Sequence, residues 1–165
     1  MTATANNPVT EPLAAIFRLN DGFITRALDG LSEDDVRRRP SDRSNSIFWL
    51  LGHVVHTRGS IVRILGGDFR TGWGDTFRRG AVHMDPKDYP SLASIEQTRV
   101  AAMQELLARL TSASAEQLGK PAAGPPLPNV ETVGDQITFL TFHESYHVGQ
   151  MAFVRKMLGH ASVAG

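Results

Sequence analysis

Apolar side chains recur every three or four residues in four long segments of this chain, and this spacing predicts four amphipathic helices. We place them at about residues 11–29, 46–65, 91–110 and 132–158. Short helical turns are predicted after the first and third of them, ending near residues 38 and 118. No segment alternates apolar and polar residues with the period of two that is typical of a half-buried strand. The pattern therefore predicts an all-α protein.

The connection over residues 67–90 determines how these helices can be arranged. It shows no clear periodicity, and an extended chain of this length spans more than about 30 Å, the length of a 20-residue helix. Such a crossover can traverse a whole bundle, so that the third long helix runs parallel to the second. We predict a four-helix bundle, with residues 1–165 as one domain and residues 1–10 as a disordered arm.

Composition excludes several classes of function. Seventeen basic residues balance seventeen acidic ones, so net charge gives no reason to expect binding to nucleic acid or to a membrane surface. Cysteine is absent, which excludes disulfides and thiolate ligands and leaves His, Asp or Glu to hold any metal. The sequence shows neither a signal-peptide pattern nor an apolar run long enough to span a bilayer. We therefore expect a cytoplasmic protein.

The residues with the clearest chemistry lie in the fourth predicted helix, in the segment HESYHVGQ at 143–150. His143 and His147 are four residues apart, so their side chains share one helix face and can reach one metal ion. The segment also matches the H-E-x-x-H signature of zinc proteases, in which the glutamate, here Glu144, is the general base. On the pair alone, two core histidines satisfied by hydrogen bonds remain an alternative.

The protease interpretation lacks a third ligand. The longer form of the signature needs glycine at position 150 and histidine at position 153, where this chain has Gln150 and Phe153. Residues 148–165 contain no Asp or Glu, and His160 lies beyond the predicted helix end at Gly159. No strand is predicted that could bind an extended peptide. We therefore do not expect a zinc protease.

A third metal ligand must then lie upstream, where His53, His56 and His83 are the candidates. His53 follows Gly52 beside the apolar stripe of the second long helix, and Gly52 would let another segment approach closely. His56 is turned about 60° away around the helix axis. His83 lies in the long crossover, from which it can cover a site.

The segments NSIFWLLGH at 45–53 and HESYHVGQ at 143–150, in this order, resemble the DinB-like (DinB/YfiT) metalloprotein superfamily. The short segments YPS at 89–91 and RKMLG at 155–159 are also similar to its pattern, and the resemblance covers about residues 11–160. It implies up-down-down-up topology and a divalent metal ion, often nickel or zinc. Its ligands would be His53, His143 and His147. Glu144 is not a ligand in that pattern, and we expect it at the surface or against a second helix.

The resemblance also implies a function, because characterised members include thiol-dependent S-transferases and isomerases, and members are frequently homodimers. Our leading hypothesis is a metal-dependent S-transferase, or a related transferase or hydrolase, that acts on a small molecule with a low-molecular-weight thiol as cosubstrate. The second hypothesis is a non-catalytic, metal-binding homodimer with a structural or stress-response role.

The sequence names no catalytic residue. Gln150, one turn beyond His147, can orient a metal ligand or pack between helices. Tyr146 is expected to pack, although its phenol can reach a partner. For Asn20 we favour a buried hydrogen bond over a place in a wet site.

Overall fold

The computed structural model describes residues 7–81 and 88–163, and over these residues it is helical, without strands. Its helices are α1 (Glu11–Leu28), α2 (Glu33–Arg37), α3 (Ile47–Ile64), α4 (Leu92–Ser112), α5 (Ala115–Leu118) and α6 (Val133–Met157). The four predicted long helices are α1, α3, α4 and α6, each ending within two residues of its expected bounds. The all-α bundle is thus confirmed. Among the described residues, none of the helices combines the length and the hydropathy that a membrane span requires.

Local sequence explains where α6 begins and ends. The backbone N–H of Asp135 donates to the hydroxyl of Thr132, and the Asp135 carboxylate accepts from the Thr132 backbone N–H. This capping box satisfies two N–H groups that a helix start leaves without partners. At the other end Gly159 has φ of +89°, a conformation that favours glycine and stops the helix.

Two apolar clusters fill the bundle, one toward each end. Each long helix packs against two others, α1 and α3 both contacting α4 and α6. The first cluster joins the end of α1 and the beginnings of α3 and α4 to the second half of α6, through residues such as Ile24, Leu51, Ile95 and Met151. The second joins the opposite ends, through residues such as Phe17, Ile61, Leu106 and Ile137. Thus α1 and α6 begin at the end of the bundle where α3 and α4 finish.

A layer of four charged side chains, one from each long helix, separates the two clusters: Asp21, Arg58, Arg99 and Glu144. Arg58 is 0% exposed and Glu144 is 1% exposed. Asp21 Oδ1 lies 2.7 Å from Arg58 Nη1 and 2.6 Å from Arg99 Nη1. Two positive and two negative groups compensate one another, as buried charges must.

Residues 7–10 lie against the end of α4, and the expectation of a disordered arm over residues 1–10 stays a prediction. The amide of Asn7 donates to the Ala113 carbonyl, and the hydroxyl of Thr10, which is 2% exposed, donates to the Leu110 carbonyl. Thr10 therefore ties the start of α1 to the end of α4 rather than capping its own helix. Residues 1–6 lie outside the described part.

Candidate metal centre

Three histidines from two helices converge: His53 from α3, and His143 and His147 from α6. One ring nitrogen of each lies within 4.8 Å of the other two. The Nε2 atom of His143 is 3.1 Å from that of His147 and 3.4 Å from that of His53. These are the three residues that the family resemblance implies as ligands, and their ligand role remains a prediction.

Among the described residues, the second upstream candidate, His56, does not join this group. His56, three residues after His53, lines a separate hollow with Arg63 and Asp75. Burial and the Arg63 cation lower the pKa of His56, and the Asp75 carboxylate and a backbone hydrogen bond at Gly74 partly oppose this shift. His83 lies outside the described residues, so the expectation for it is not tested.

Two hydrogen bonds orient the imidazoles of His53 and His147 and determine their tautomers. The Nδ1 atom of His53 is 2.6 Å from the carbonyl oxygen of Phe77. The Nδ1 atom of His147 is 2.7 Å from the amide oxygen of Gln150, whose nitrogen donates to the Tyr146 hydroxyl. Both oxygens only accept, so each Nδ1 carries the proton and each Nε2 offers its lone pair. Gln150 therefore orients His147, as partners of metal-binding histidines commonly do.

Gly52 makes the Phe77 contact possible. A Cβ on Gly52 would lie 2.4 Å from the ring of Phe77, which is fully buried. The expected close approach at Gly52 is confirmed, and the approaching segment is the long crossover. The same crossover residue thus packs its ring on α3 and offers its carbonyl to His53.

Replacing Gly52 by alanine is expected to displace the Phe77 segment and weaken the orientation of His53. An added Cβ with no room destabilises a packed core by about 1–3 kcal/mol. We expect a lower thermal unfolding midpoint and weaker nickel uptake, both measurable by calorimetry. Gly149→Ala is the matched control, because nothing lies within 4 Å of a Cβ on that α6 glycine. Equal nickel affinity in the two variants would contradict this role for Gly52.

Aromatic rings form the walls around the histidines. The Trp49 ring is stacked on His53 with centroids 5.0 Å apart, and Phe139 is stacked on His143 at 6.3 Å. The Nδ1 atom of His143 is buried and has no hydrogen-bond partner among the described residues. These walls remove water from the imidazoles, and burial favours their neutral form.

Burial lowers the pKa of His53 and of His143 to about 4, and it lowers the pKa of His147 as well. The hydrogen bond that His53 donates to the Phe77 carbonyl opposes this shift at His53, and the one that His147 donates to the Gln150 amide oxygen opposes it at His147. All three rings are therefore neutral at pH 7, the state in which imidazole binds metal ions.

These pKa shifts predict that the metal-free protein loses stability on acidification. The unfolded chain takes up protons near the ordinary histidine pKa of 6.5, whereas folded His53 and His143 resist protonation until about 4. Unfolding then binds protons, so the free energy of unfolding falls as the pH falls from about 6.5 to 4. Thermal midpoints of metal-free protein measured across this range should decline, and less steeply in His143→Leu. A constant midpoint between pH 7 and 5 would contradict the prediction.

The three imidazoles fit a divalent ion. With Zn–N bonds of about 2.0–2.1 Å, two nitrogens on a tetrahedral ion are about 3.3 Å apart. Two of the three observed separations, 3.1 and 3.4 Å, match this value, and all three nitrogens lie within 4.8 Å of one another. Imidazole nitrogens suit zinc and nickel, and three protein ligands leave at least one position open.

A cavity of about 540 Å³ opens over the histidines, a volume in the range typical of small-molecule sites. Its lining consists of Asn45, Trp49, His53, Arg79, Gly80, Ala81, His143, Tyr146 and His147. Trp49, Tyr146 and the three histidines give it an aromatic wall. The arrangement can hold a small molecule against an open metal position.

Glu144 is not at the surface and does not face the cavity. Its two carboxylate oxygens accept from Nε and Nη2 of Arg58 at 2.9 and 2.8 Å. The expected contact with a second helix is confirmed, and a position at the surface is wrong. Glu144 is committed to a buried ion pair, which leaves it no role as a general base at the histidines.

Sequence reasoning missed Arg58, although a signal was present. Arg58 lies four residues after Val54 and three before Ile61, within the apolar stripe of α3. A charged residue at such a position requires a buried partner.

For Asn20, the favoured buried hydrogen bond is confirmed, since its amide donates to the Ser145 hydroxyl at 3.1 Å.

Comparison with known proteins identifies one family. A family model described as the DinB superfamily matches residues 24–151, a range that covers most of the chain and contains all three histidines. The comparison with curated proteins gives no match.

Proposed function

Since this chain belongs to the DinB superfamily, we propose that it is a metal-dependent enzyme, either a thiol-dependent S-transferase or a related transferase or hydrolase. One observation carries the proposal: three neutral imidazoles converge on one wall of a cavity of about 540 Å³. A structural metal site is closed by protein ligands, whereas a catalytic site keeps a position open toward its substrate. We propose His53, His143 and His147 as the ligands.

A divalent ion such as nickel or zinc would lower the pKa of a bound thiol or water toward neutrality. The chain's own residues prepare the site for it. Phe77 and Gln150 hold Nδ1 of His53 and of His147, which aims both Nε2 atoms inward. The Tyr146 hydroxyl accepts from the Gln150 amide, so its own proton is available for a group in the cavity. The Trp49 ring shields His53 from water.

A thiol-transfer screen tests this proposal. Wild-type protein loaded with nickel or zinc is assayed with several low-molecular-weight thiols and electrophiles, beside His147→Ala and the control His56→Ala. We expect metal-dependent thiol consumption in wild type and His56→Ala, and none in His147→Ala. If wild type consumes no thiol and hydrolyses no substrate with either metal, while chelation strongly lowers its melting temperature, the non-catalytic metal-binding hypothesis replaces this one.

We further propose a homodimer formed through the outer face of α6. Four apolar residues at helical spacing, 56–66% exposed, lie along it: Phe142, Tyr146, Phe153 and Met157. An exposed apolar patch of this kind is typical of an interaction surface.

Light scattering should give the mass of two chains for wild type and of one chain for Phe153→Glu. Val100→Glu, on α4 and 48% exposed, should leave the dimer intact. A monomeric wild type would refute the proposal.

A further inference from the structure

We propose that the cavity selects a small molecule that carries a carboxylate, and that Arg79 binds this group. The inference rests on the proposed function, because it names the substrate class of the same cavity. Arg79 is the one arginine or lysine among the described residues that line the cavity, and none of those residues is acidic. An anionic ligand would therefore meet a cation, and the described part of the wall presents no competing carboxylate.

The backbone presents Arg79 at the cavity in a defined turn. The N–H of Ala81 donates to the Arg78 carbonyl at 3.1 Å, and Gly80 has φ of +76°. A β-turn with positive φ at its third residue favours glycine there and places Arg79 second. The turn begins one residue after Phe77, whose ring is buried and whose carbonyl accepts from His53. The segment that orients a metal ligand thus also positions the arginine.

The charges around Arg79 favour an anion. Among the described residues of the lining, Arg79 is the one permanently charged side chain, beside the polar amide of Asn45 and the phenol of Tyr146. A concave surface with low-dielectric walls concentrates the field of its charges. Arginine can bind both oxygens of a carboxylate through two parallel hydrogen bonds. A carboxylate would thus pair with Arg79 while the rest of the ligand lies against the histidines.

The test compares three probes that separate the carboxylate from the thiol. Mercaptoacetate carries both groups, 2-mercaptoethanol carries the thiol alone, and succinate carries carboxylates alone. Each is titrated by calorimetry into nickel-loaded wild type, Arg79→Gln and Arg78→Gln. Arg78 is the matched control, because it precedes Arg79 in the same turn, is largely exposed beside Asp75 and does not line the cavity.

We expect wild type to bind mercaptoacetate more tightly than 2-mercaptoethanol. Arg79→Gln should lower the affinity for mercaptoacetate and for succinate about tenfold or more, the usual effect of losing a hydrogen bond between charged groups. It should leave the affinity for 2-mercaptoethanol unchanged, and Arg78→Gln should change the affinity for none of the three probes.

The binding of the three probes distinguishes carboxylate selection by Arg79 from the proposed thiol-dependent function. Unchanged mercaptoacetate affinity in Arg79→Gln, or equal weakening of both thiols, would overturn carboxylate selection while thiol binding stands. If succinate is the only probe that binds, and its binding is lost in Arg79→Gln, carboxylate selection holds and the proposed thiol-dependent function fails. If wild type binds none of the three probes, both are overturned.

Discussion

Replacing Glu144 by glutamine is expected to lower the free energy of unfolding by about 3–5 kcal/mol, the usual cost of breaking a buried ion pair from one side. Arg58 is fully buried and donates through Nε and Nη2 to the two oxygens of Glu144. A glutamine amide accepts at one position only, and its NH₂ group would face a guanidinium donor. Asp21 cannot replace the lost charge, because Arg99 already shares it.

The charges around Arg58 also predict a loss of stability in Glu144→Gln. Burial alone would lower the pKa of Arg58, but the Glu144 and Asp21 carboxylates raise it above the ordinary arginine value. Arg58 therefore remains charged in the core. Removing the Glu144 carboxylate leaves this buried charge without its partner in an apolar environment, which is unfavourable.

Denaturant unfolding of wild type and Glu144→Gln measures this loss, with Glu33→Gln as the control. Glu33 pairs with Arg37 at 2.8 Å on the surface of α2, where an ion pair contributes about 0–1 kcal/mol. The double variant Arg58→Met/Glu144→Leu should recover part of the stability, because apolar residues then replace the pair. A loss below about 1 kcal/mol in Glu144→Gln would show that the charged layer does not depend on this pair.

Replacing His143 by alanine is expected to weaken nickel or zinc binding more than 100-fold. Loss of an outer partner alone typically costs about 10–100-fold in metal affinity, and a ligand contributes more than its partner does. His143 is central to the group, since its Nε2 is 3.1 Å from that of His147 and 3.4 Å from that of His53. Without it, two imidazoles remain on the wall of an open cavity.

Elemental analysis after gentle purification, followed by calorimetric titration, measures this effect. Wild type should carry about one divalent ion per chain. His56→Ala is the matched control, because it removes a half-buried imidazole from α3 three residues beyond His53. It should bind metal as wild type does. A wild type that takes up no divalent ion, or a His143→Ala variant that retains its affinity, would refute the metal site.

What the sequence determined by itself is local. Helix bounds follow from apolar periodicity and from caps such as Thr132 and Asp135, which act over three or four residues. The pairing of His143 with His147 follows in the same way, because one turn of helix brings them together. The upstream histidine was named through resemblance to a family, since periodicity alone left His53 and two others open.

Tertiary structure decided which distant residues meet. Glu144 is buried because Arg58, 86 positions earlier, faces it across α3 and α6. His53 rather than His56 joins the group because α3 turns that face toward α6, and the Phe77 carbonyl, 24 positions later, sets its tautomer. Thr10 is buried where its hydroxyl donates to the Leu110 carbonyl, 100 positions later. Such contacts depend on how packed helices are rotated and shifted against one another, and local periodicity does not specify this.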